Sequence, residues 1–122
     1  DIAMNITEVV RGDDLLNSTA AQLLLYEALG KVPPTFMHVP LLADETGQRM
    51  SKRKGSLTLT ALKERGVKPQ QVVGLLAFSL GMLDELREVT PPDLIRGYTL
   101  ENYNRSILQL EAQHFDWLYS NL

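Results

Sequence analysis

The sequence predicts an α/β fold that continues into an α-helical region. Residues 6–11 are rich in β-branched side chains and precede a Gly-Asp-Asp turn, which is typical of a strand. Residues 36–42 are mostly apolar on both faces, as expected for a buried strand of a parallel sheet. A helical pattern lies between them, so the order predicts a βαβ unit with a right-handed crossover. Pro40 removes one ladder hydrogen bond and predicts a kink or an edge position in the second strand.

The helix of this βαβ unit is predicted to end at Gly30, because glycine is a common C-terminal stop. Thr19 and Gln22 have the spacing of a capping box, in which the hydroxyl and the amide satisfy each other's exposed backbone N–H groups. Leu24 and Ala28 lie one turn apart on the same face. Together these features predict a helix with Thr19 at its N-terminus.

The second half of the chain changes to helical spacing. Pro69 is predicted at the first position of one helix, and Thr90 with Asp93 is predicted to begin another. Helical spacing also relates five residues of the last segment: Leu108, Phe115, Leu118, Tyr119 and Leu122. We therefore predict two parts, an α/β part over residues 1–55 and an α-helical part over residues 56–122.

The composition is that of a globular domain and excludes several classes of protein. The 122 residues are 44% hydrophobic and 22% charged. No apolar run approaches the roughly 20 residues that span a membrane, so no membrane partner is expected. The absence of Cys excludes a disulfide framework and a Cys-based zinc site, and it fits a cytoplasmic location. The net charge of −3 argues against a general nucleic-acid binder, which is usually basic. Because the first residue is Asp1 and not Met, we expect a fragment of a longer protein.

Several residue types that often carry chemistry are assigned structural roles here. His38 lies in an apolar run and is expected to be a hydrogen-bonded structural residue. Asp13 and Asp14 lack the spacing of a calcium loop and are expected to orient the turn before the first helix. Trp117 is expected to pack and not to serve as a base-stacking platform. No metal site is predicted.

The segment 48–55, "QRMSKRKG", concentrates four of the twelve Lys and Arg residues of an acidic chain. Such a loop is suited to a polyanion: Lys52 can place a point charge on a phosphate, and Ser51 adds a hydroxyl. Gly55 lets the backbone bend close to a ligand. On charge alone, a solvated surface loop or a basic targeting signal is the commoner explanation.

The "RGDD" turn and the basic loop both follow predicted strands at their carboxyl ends, where ligands of open α/β sheets bind. The two segments can therefore face one site. Arg11 in this turn has a planar guanidinium that can bind a carboxylate through two hydrogen bonds. From the residues alone, a structural salt bridge to Asp13 or Asp14 is the favoured role of Arg11.

Three blocks resemble, in order and spacing, the glutamyl-tRNA synthetase family of class I synthetases. They are "VVRGDDLLNSTAAQLLLYEALG", "PPTFMHVPLLADETGQRMSKRKGSLTL" and "LKERGVKPQQVVGLLAFSLGML". Within the second block, "RMSKR" resembles the KMSKS signature. The resemblance is strong over residues 6–83 and weaker beyond. It implies the second half of a Rossmann-like nucleotide-binding fold, followed by an α-helical stem-contact region.

The resemblance also implies roles for individual residues. Lys52 matches the catalytic lysine that stabilises the phosphates of ATP when the aminoacyl adenylate forms. The implied cofactor is ATP together with Mg²⁺. Arg11 matches the arginine that holds the L-glutamate substrate. The implied ATP-binding set is Lys52, Ser51, Arg49, Arg53, Met50, Leu42 and Leu41, of which the two leucines match the strand end beside adenine.

The implied function is that of an ATP-dependent ligase that activates glutamate and transfers it to tRNA(Glu) or tRNA(Asp). The shorter glutamyl-Q-tRNA(Asp) synthetase branch is slightly favoured over the full glutamyl-tRNA synthetases. No His-x-Gly-His motif occurs in the chain, so we expect it to be inactive alone. The alternative is a non-catalytic module that binds nucleotide or RNA, or that regulates a partner. An exposed edge of the first strand further predicts a homodimer.

Overall fold

The structure is a computed structural model that describes residues 1–44, 46–50, 58–99 and 108–120. The chain folds as two compact units, which we call the N-terminal unit (residues 1–41) and the C-terminal unit (residues 42–122). The predicted boundary between residues 55 and 56 lies outside the described residues and stays a prediction.

The N-terminal unit is built from two strands and one helix. Strand β1 covers Glu8–Gly12, a single 3-10 turn follows at Asp13–Leu15, helix α1 covers Leu16–Ala28, and strand β2 covers Thr35–Val39. The strands pair in parallel along their whole length. The predicted strand–helix–strand order and the parallel pairing are confirmed, although β1 starts two residues later than the β-branched pattern suggested.

The start of α1 differs from the prediction, whereas its end agrees with it. The predicted capping box is wrong: α1 begins at Leu16, after the 3-10 turn, so Thr19 lies inside the helix and its hydroxyl bonds elsewhere. The predicted end at Gly30 is confirmed. Gly30 has a φ of 60°, and the N–H of Lys31 donates to the Tyr26 carbonyl over 2.9 Å. This is a Schellman ending, which glycine permits because it has no Cβ.

The second predicted strand is interrupted at Pro40. Strand β2 ends at Val39, and a separate two-residue strand, β3, covers Leu42–Ala43 in the C-terminal unit. The single strand predicted over residues 36–42 is therefore wrong. The break lies where the sequence predicted a kink, because proline has no N–H to donate to a ladder.

The C-terminal unit combines short helices with a second parallel strand pair. Strand β3 pairs with β4 at Leu108–Gln109. The helices are α2 (Leu59–Glu64), α3 (Pro69–Ser79), α4 (Pro91–Ile95) and α5 (Ala112–Tyr119). The predicted starts at Pro69 and Thr90 are confirmed. The helical assignment of Leu108 is wrong, because its backbone pairs with Leu42 and α5 begins only after it.

A small core holds the C-terminal unit together. Its buried members are Leu62, Val67, Leu75, Leu110 and Leu118. Buried Gln71 links α3 to α5: its Oε1 accepts from the Lys68 N–H over 2.8 Å, and its Nε2 donates to the Leu118 carbonyl over 3.2 Å. Trp117 packs against this core, as predicted. Among the described residues, no helix is both long and apolar enough to cross a membrane.

Candidate substrate-binding site

Arg11 lies near the carboxyl end of β1, directly opposite His38 in the parallel register. Its Nε donates a hydrogen bond to Nε2 of His38 over 3.2 Å, and its Nη2 donates to Oγ1 of Thr19 over 2.8 Å. Thr19 belongs to α1 and His38 to β2, so the guanidinium joins all three elements of the N-terminal unit. We call these three side chains the Arg11 cluster.

One face of the guanidinium is held as well. The central carbon of the Arg11 guanidinium lies 4.8 Å from the centroid of the Phe36 ring, which is within the range of a cation–π interaction. Phe36 and His38 are two residues apart on β2, so their side chains lie on the same face of the sheet. Phe36 and the three side chains of the Arg11 cluster are all half-buried, so the cluster is partly accessible to solvent.

The hydrogen bonds leave one edge of Arg11 able to donate. Nη2 makes a further bond of 3.4 Å to the Leu15 carbonyl, which is longer than the usual 2.7–3.2 Å. Across the described stretches of the chain, Nη1 has no hydrogen-bond acceptor in the protein. The edge formed by Nη1 and Nη2 can therefore receive a carboxylate through two parallel bonds.

His38 has the hydrogen-bonded role that the sequence predicted. Because its Nε2 accepts from Arg11, the hydrogen-bond pattern assigns the ring proton to Nδ1. The salt bridge from Arg11 to Asp13 or Asp14, favoured from the residues alone, is not among the hydrogen bonds of Arg11 in the described structure. The acceptors of Arg11 are instead neutral groups, so its charge is available to an anionic ligand.

A tight turn follows β3 in the C-terminal unit and is organised by Asp44. Its Oδ1 accepts from the N–H groups of Thr46 and Gln48 over 2.9 and 3.0 Å. The N–H of Asp44 donates to the Gln48 carbonyl over 2.8 Å. Gly47 takes a φ of 76°, a backbone conformation that few other residues adopt. This turn reverses the chain and directs it back along β3.

Residues 49 and 50, among the first residues of the basic loop, are anchored to β3. The N–H of Met50 donates to the Leu42 carbonyl over 3.0 Å, and Arg49 forms an antiparallel bridge with Ala43. The side chains of Leu42 and Met50 pack against the core of the C-terminal unit. Backbone pairing and apolar packing therefore hold residues 49 and 50 on β3.

The model of the family described as "tRNA synthetases class I (E and Q), catalytic domain" matches residues 1–117. The chain belongs to this family. A glutamyl-Q tRNA(Asp) synthetase of Symbiobacterium thermophilum is 42% identical over 113 residues, which are 93% of this chain and 35% of that protein. A glutamate–tRNA ligase of Syntrophobacter fumaroxidans is 39% identical over 119 residues, 97% of this chain and 25% of that protein. The chain thus spans about a third or less of the curated relatives it matches.

A solved structure gives the same result for the fold. The crystal structure of a glutamate tRNA ligase from Elizabethkingia meningosepticum CCUG26117, in complex with its amino acid, aligns with a TM-score of 0.72 and 26% identity. The alignment covers 94% of this chain and 27% of that one. The family resemblance predicted from the sequence is confirmed.

The predicted site residues of this synthetase-family chain fall into three groups: those in the N-terminal unit, those in the C-terminal unit and those outside the described residues. Arg11 lies in the N-terminal unit with partners that the sequence did not assign to it. Leu41 is half-buried and faces Gly12, where its Cδ2 lies 2.9 Å from the position of an added Cβ. The C-terminal unit contains Leu42 and Met50, which share a backbone hydrogen bond, and Arg49, which forms a bridge with Ala43. Ser51, Lys52 and Arg53 lie outside the described residues.

Two features of the site differ from what the sequence predicts. The spacing of Thr19 and Gln22 predicts a helix cap, and the sequence analysis assigns no role to Asp44. A signal for Asp44 was available, since an Asp followed by Thr and Gly two and three residues later is typical of a side-chain-stabilised turn. No local signal existed for Thr19, because its role depends on which face of α1 meets the sheet.

Proposed function

We propose that this chain is part of an ATP-dependent ligase that activates L-glutamate as an adenylate and transfers it to tRNA. Family membership and the names of the relatives support this proposal. The observation that carries it in this chain is Arg11, whose guanidinium is held near a strand end with one edge able to receive a carboxylate. In the proposed enzyme that carboxylate belongs to glutamate.

The proposal assigns the N-terminal unit to the second half of a Rossmann-like class I nucleotide-binding fold. The parallel β1–β2 pair with α1 between its strands supports this assignment. Residues 56–122 are assigned to a stem-contact-like region. A part of the protein outside these 122 residues would supply the HIGH-type half of the ATP site, since no such motif occurs here.

The proposed reaction is attack of the glutamate carboxylate on the α-phosphorus of ATP. A bond forms between a carboxylate oxygen and phosphorus, the bond to the bridging oxygen breaks, and pyrophosphate leaves. Lys52 is proposed to stabilise the negative charge that develops on the phosphate oxygens, whose counter-ion would be Mg²⁺. Ser51, Arg53 and Arg49 would extend the phosphate contacts.

The turn after β3 and the segment that returns along β3 support the proposed ATP contacts. The backbone bond from Met50 to Leu42 and the bridge between Arg49 and Ala43 give the basic loop a fixed starting point on β3. Leu41 and Leu42 would place backbone groups beside adenine.

The type of tRNA is part of the proposal. Relatives of both branches match the chain, at 42% for the glutamyl-Q type and 39% for the full ligase type. The blocks "GLLAFSLGML" and "PPTFMHVPLL" resemble the shorter branch slightly more, so we favour transfer to tRNA(Asp) over transfer to tRNA(Glu). The cytoplasm is the proposed place of action. A non-catalytic nucleotide- or RNA-binding module is the second candidate, supported by the absence of a HIGH-type motif in these residues.

Glutamate-dependent ATP–pyrophosphate exchange by the complete protein that carries this chain tests the proposal. Lys52→Ala should lower kcat by about 10²-fold or more, because one preorganised electrostatic contact is lost only in the transition state. Arg11→Ala should chiefly raise the KM for glutamate. Absence of exchange by the unmodified protein would favour the non-catalytic module, and unchanged kinetics in both variants would refute the site assignment.

A further inference from the structure

The side edge of Arg11, formed by Nε and Nη2, donates hydrogen bonds to two side chains. In a guanidinium, Nε and Nη2 donate two N–H groups in nearly parallel directions. Here these groups reach Nε2 of His38 over 3.2 Å and Oγ1 of Thr19 over 2.8 Å. The two acceptors are also bonded to each other: because Nε2 of His38 accepts from Arg11, the Thr19 hydroxyl is the donor in the 3.0 Å hydrogen bond between them. Both donors of the side edge are therefore occupied by one connected pair of side chains.

Because His38 and Thr19 occupy the side edge of Arg11, the Nη1–Nη2 edge is the one left for a ligand. With the side edge bonded and one face against the Phe36 ring, rotation about the last side-chain bonds of Arg11 is restricted. The Nη1–Nη2 edge then keeps one orientation relative to β1. An arginine without these contacts would sample many rotamers and would lose that freedom on binding its ligand.

We propose that Thr19 and His38 are positioning residues that present the Nη1–Nη2 edge of Arg11 to the side-chain or main-chain carboxylate of the amino-acid substrate. Both act through Arg11 and neither needs to touch the substrate. This inference rests on the proposed function, in which Arg11 binds glutamate.

The competing explanation is that the same hydrogen bonds only hold α1 onto the two strands. A purely structural role would lower thermal stability and would affect the binding of ATP and glutamate alike. A positioning role changes the KM for glutamate selectively. It also disappears when Arg11 is removed, because residues that act through one shared partner are not additive.

The test uses matched pairs in the complete protein that carries this chain. Thr19→Val replaces the hydroxyl by a methyl group of similar size, and Thr19→Ser keeps the hydroxyl. His38→Leu removes the acceptor, and His38→Gln keeps an acceptor near the position of Nε2. Glutamate-dependent ATP–pyrophosphate exchange gives kcat and both KM values, and thermal unfolding is measured for every variant.

The expected result is selective. Thr19→Val and His38→Leu should raise the KM for glutamate about 10-fold, as for loss of one hydrogen bond to a charged group. The KM for ATP should stay within about 2-fold, and Thr19→Ser and His38→Gln should recover most of the loss. In an Arg11→Ala background, Thr19→Val should add nothing.

The outcomes separate the two proposals. If Arg11→Ala leaves the KM for glutamate unchanged, the assignment of Arg11 under the proposed function is wrong. If Arg11→Ala raises it but Thr19→Val and His38→Leu do not, only the positioning role is wrong. The positioning role is also refuted if both variants unfold, or if their losses follow the unfolded fraction or persist in the Arg11→Ala background.

Discussion

Substitution of Gly74 by Ala should destabilise the C-terminal unit although alanine favours helices. Gly74 lies in α3, and an added Cβ would be 1.9 Å from the Arg87 carbonyl oxygen, where ordinary contact begins at 3.4 Å. The difference, 3.4 − 1.9, requires a backbone shift of about 1.5 Å. That shift would lengthen or break the nearby hydrogen bond of 3.2 Å from the Val89 N–H to the Gln70 carbonyl.

The magnitude follows from three contributions. Overpacking costs about 1–3 kcal/mol, and loss of the Val89–Gln70 hydrogen bond costs about 1 kcal/mol. The higher helix propensity of alanine offsets about 1 kcal/mol. The net loss in free energy of unfolding is therefore about 1–3 kcal/mol, which lowers Tm by about 5–20 °C for a unit of this size.

Differential scanning calorimetry of the wild type, Gly74→Ala and a matched control measures this effect. The control is Gly97→Ala, because nothing lies within 4 Å of an added Cβ at Gly97 and its φ is not positive. Gly97→Ala should leave Tm unchanged or raise it slightly, since alanine restricts the unfolded chain. An equal or higher Tm for Gly74→Ala would show that the close approach to Arg87 does not constrain this site.

Three further predictions concern activity, assembly and pH. The 122-residue chain alone should show only background glutamate-dependent ATP–pyrophosphate exchange, because adenylate formation requires ATP to be held from both sides; clear exchange by the purified chain would contradict this. The isolated chain should self-associate, since β1 pairs only with β2 among the described strands and Val10 and Leu24 are 65% and 66% exposed. Sedimentation at several concentrations checks this, and a single monomeric species at high micromolar concentration would refute it. The pKa of Asp93 is lowered from its ordinary 3.8, chiefly by a hydrogen bond from the Thr90 hydroxyl and next by one from the Thr90 backbone N–H. The ionised Asp93 therefore stabilises the fold above pH 3.8, and this stabilisation is lost as the pH falls through the lower pKa of the folded state. In thermal unfolding, Asp93→Asn should lower Tm at neutral pH but not in strong acid, and an equal difference at both would exclude a charge effect.

The site was predictable only in part. The sequence places Arg11 at the end of a strand, where parallel sheets bind ligands, but its substrate-binding role is implied only by the family resemblance. Its partners were not predictable, since the bond to His38 depends on the register of β1 against β2 and the bond to Thr19 depends on where α1 begins. The predicted N-cap, Thr19, lies four residues after the observed one, Leu15, and this shift alone changes the role of Thr19 from a cap to a partner of Arg11.

Local chemistry by itself determined the strand at β1, the ending of α1 at Gly30, the break at Pro40 and the helix starts at Pro69 and Thr90. Each depends on a property of one residue type, such as β-branching, access to positive φ or the missing N–H of proline.

Only the tertiary structure decided the pairing of β3 with β4 and the partners of Arg11. Leu42–Ala43 and Leu108–Gln109 are strands of two residues each, too short to show a period. Their backbones form a ladder because the C-terminal unit brings distant segments together around one core. Long-range packing therefore overrode the helical spacing that Leu108 shares with Phe115 and Leu118, because a backbone near a buried strand edge must satisfy its own hydrogen bonds.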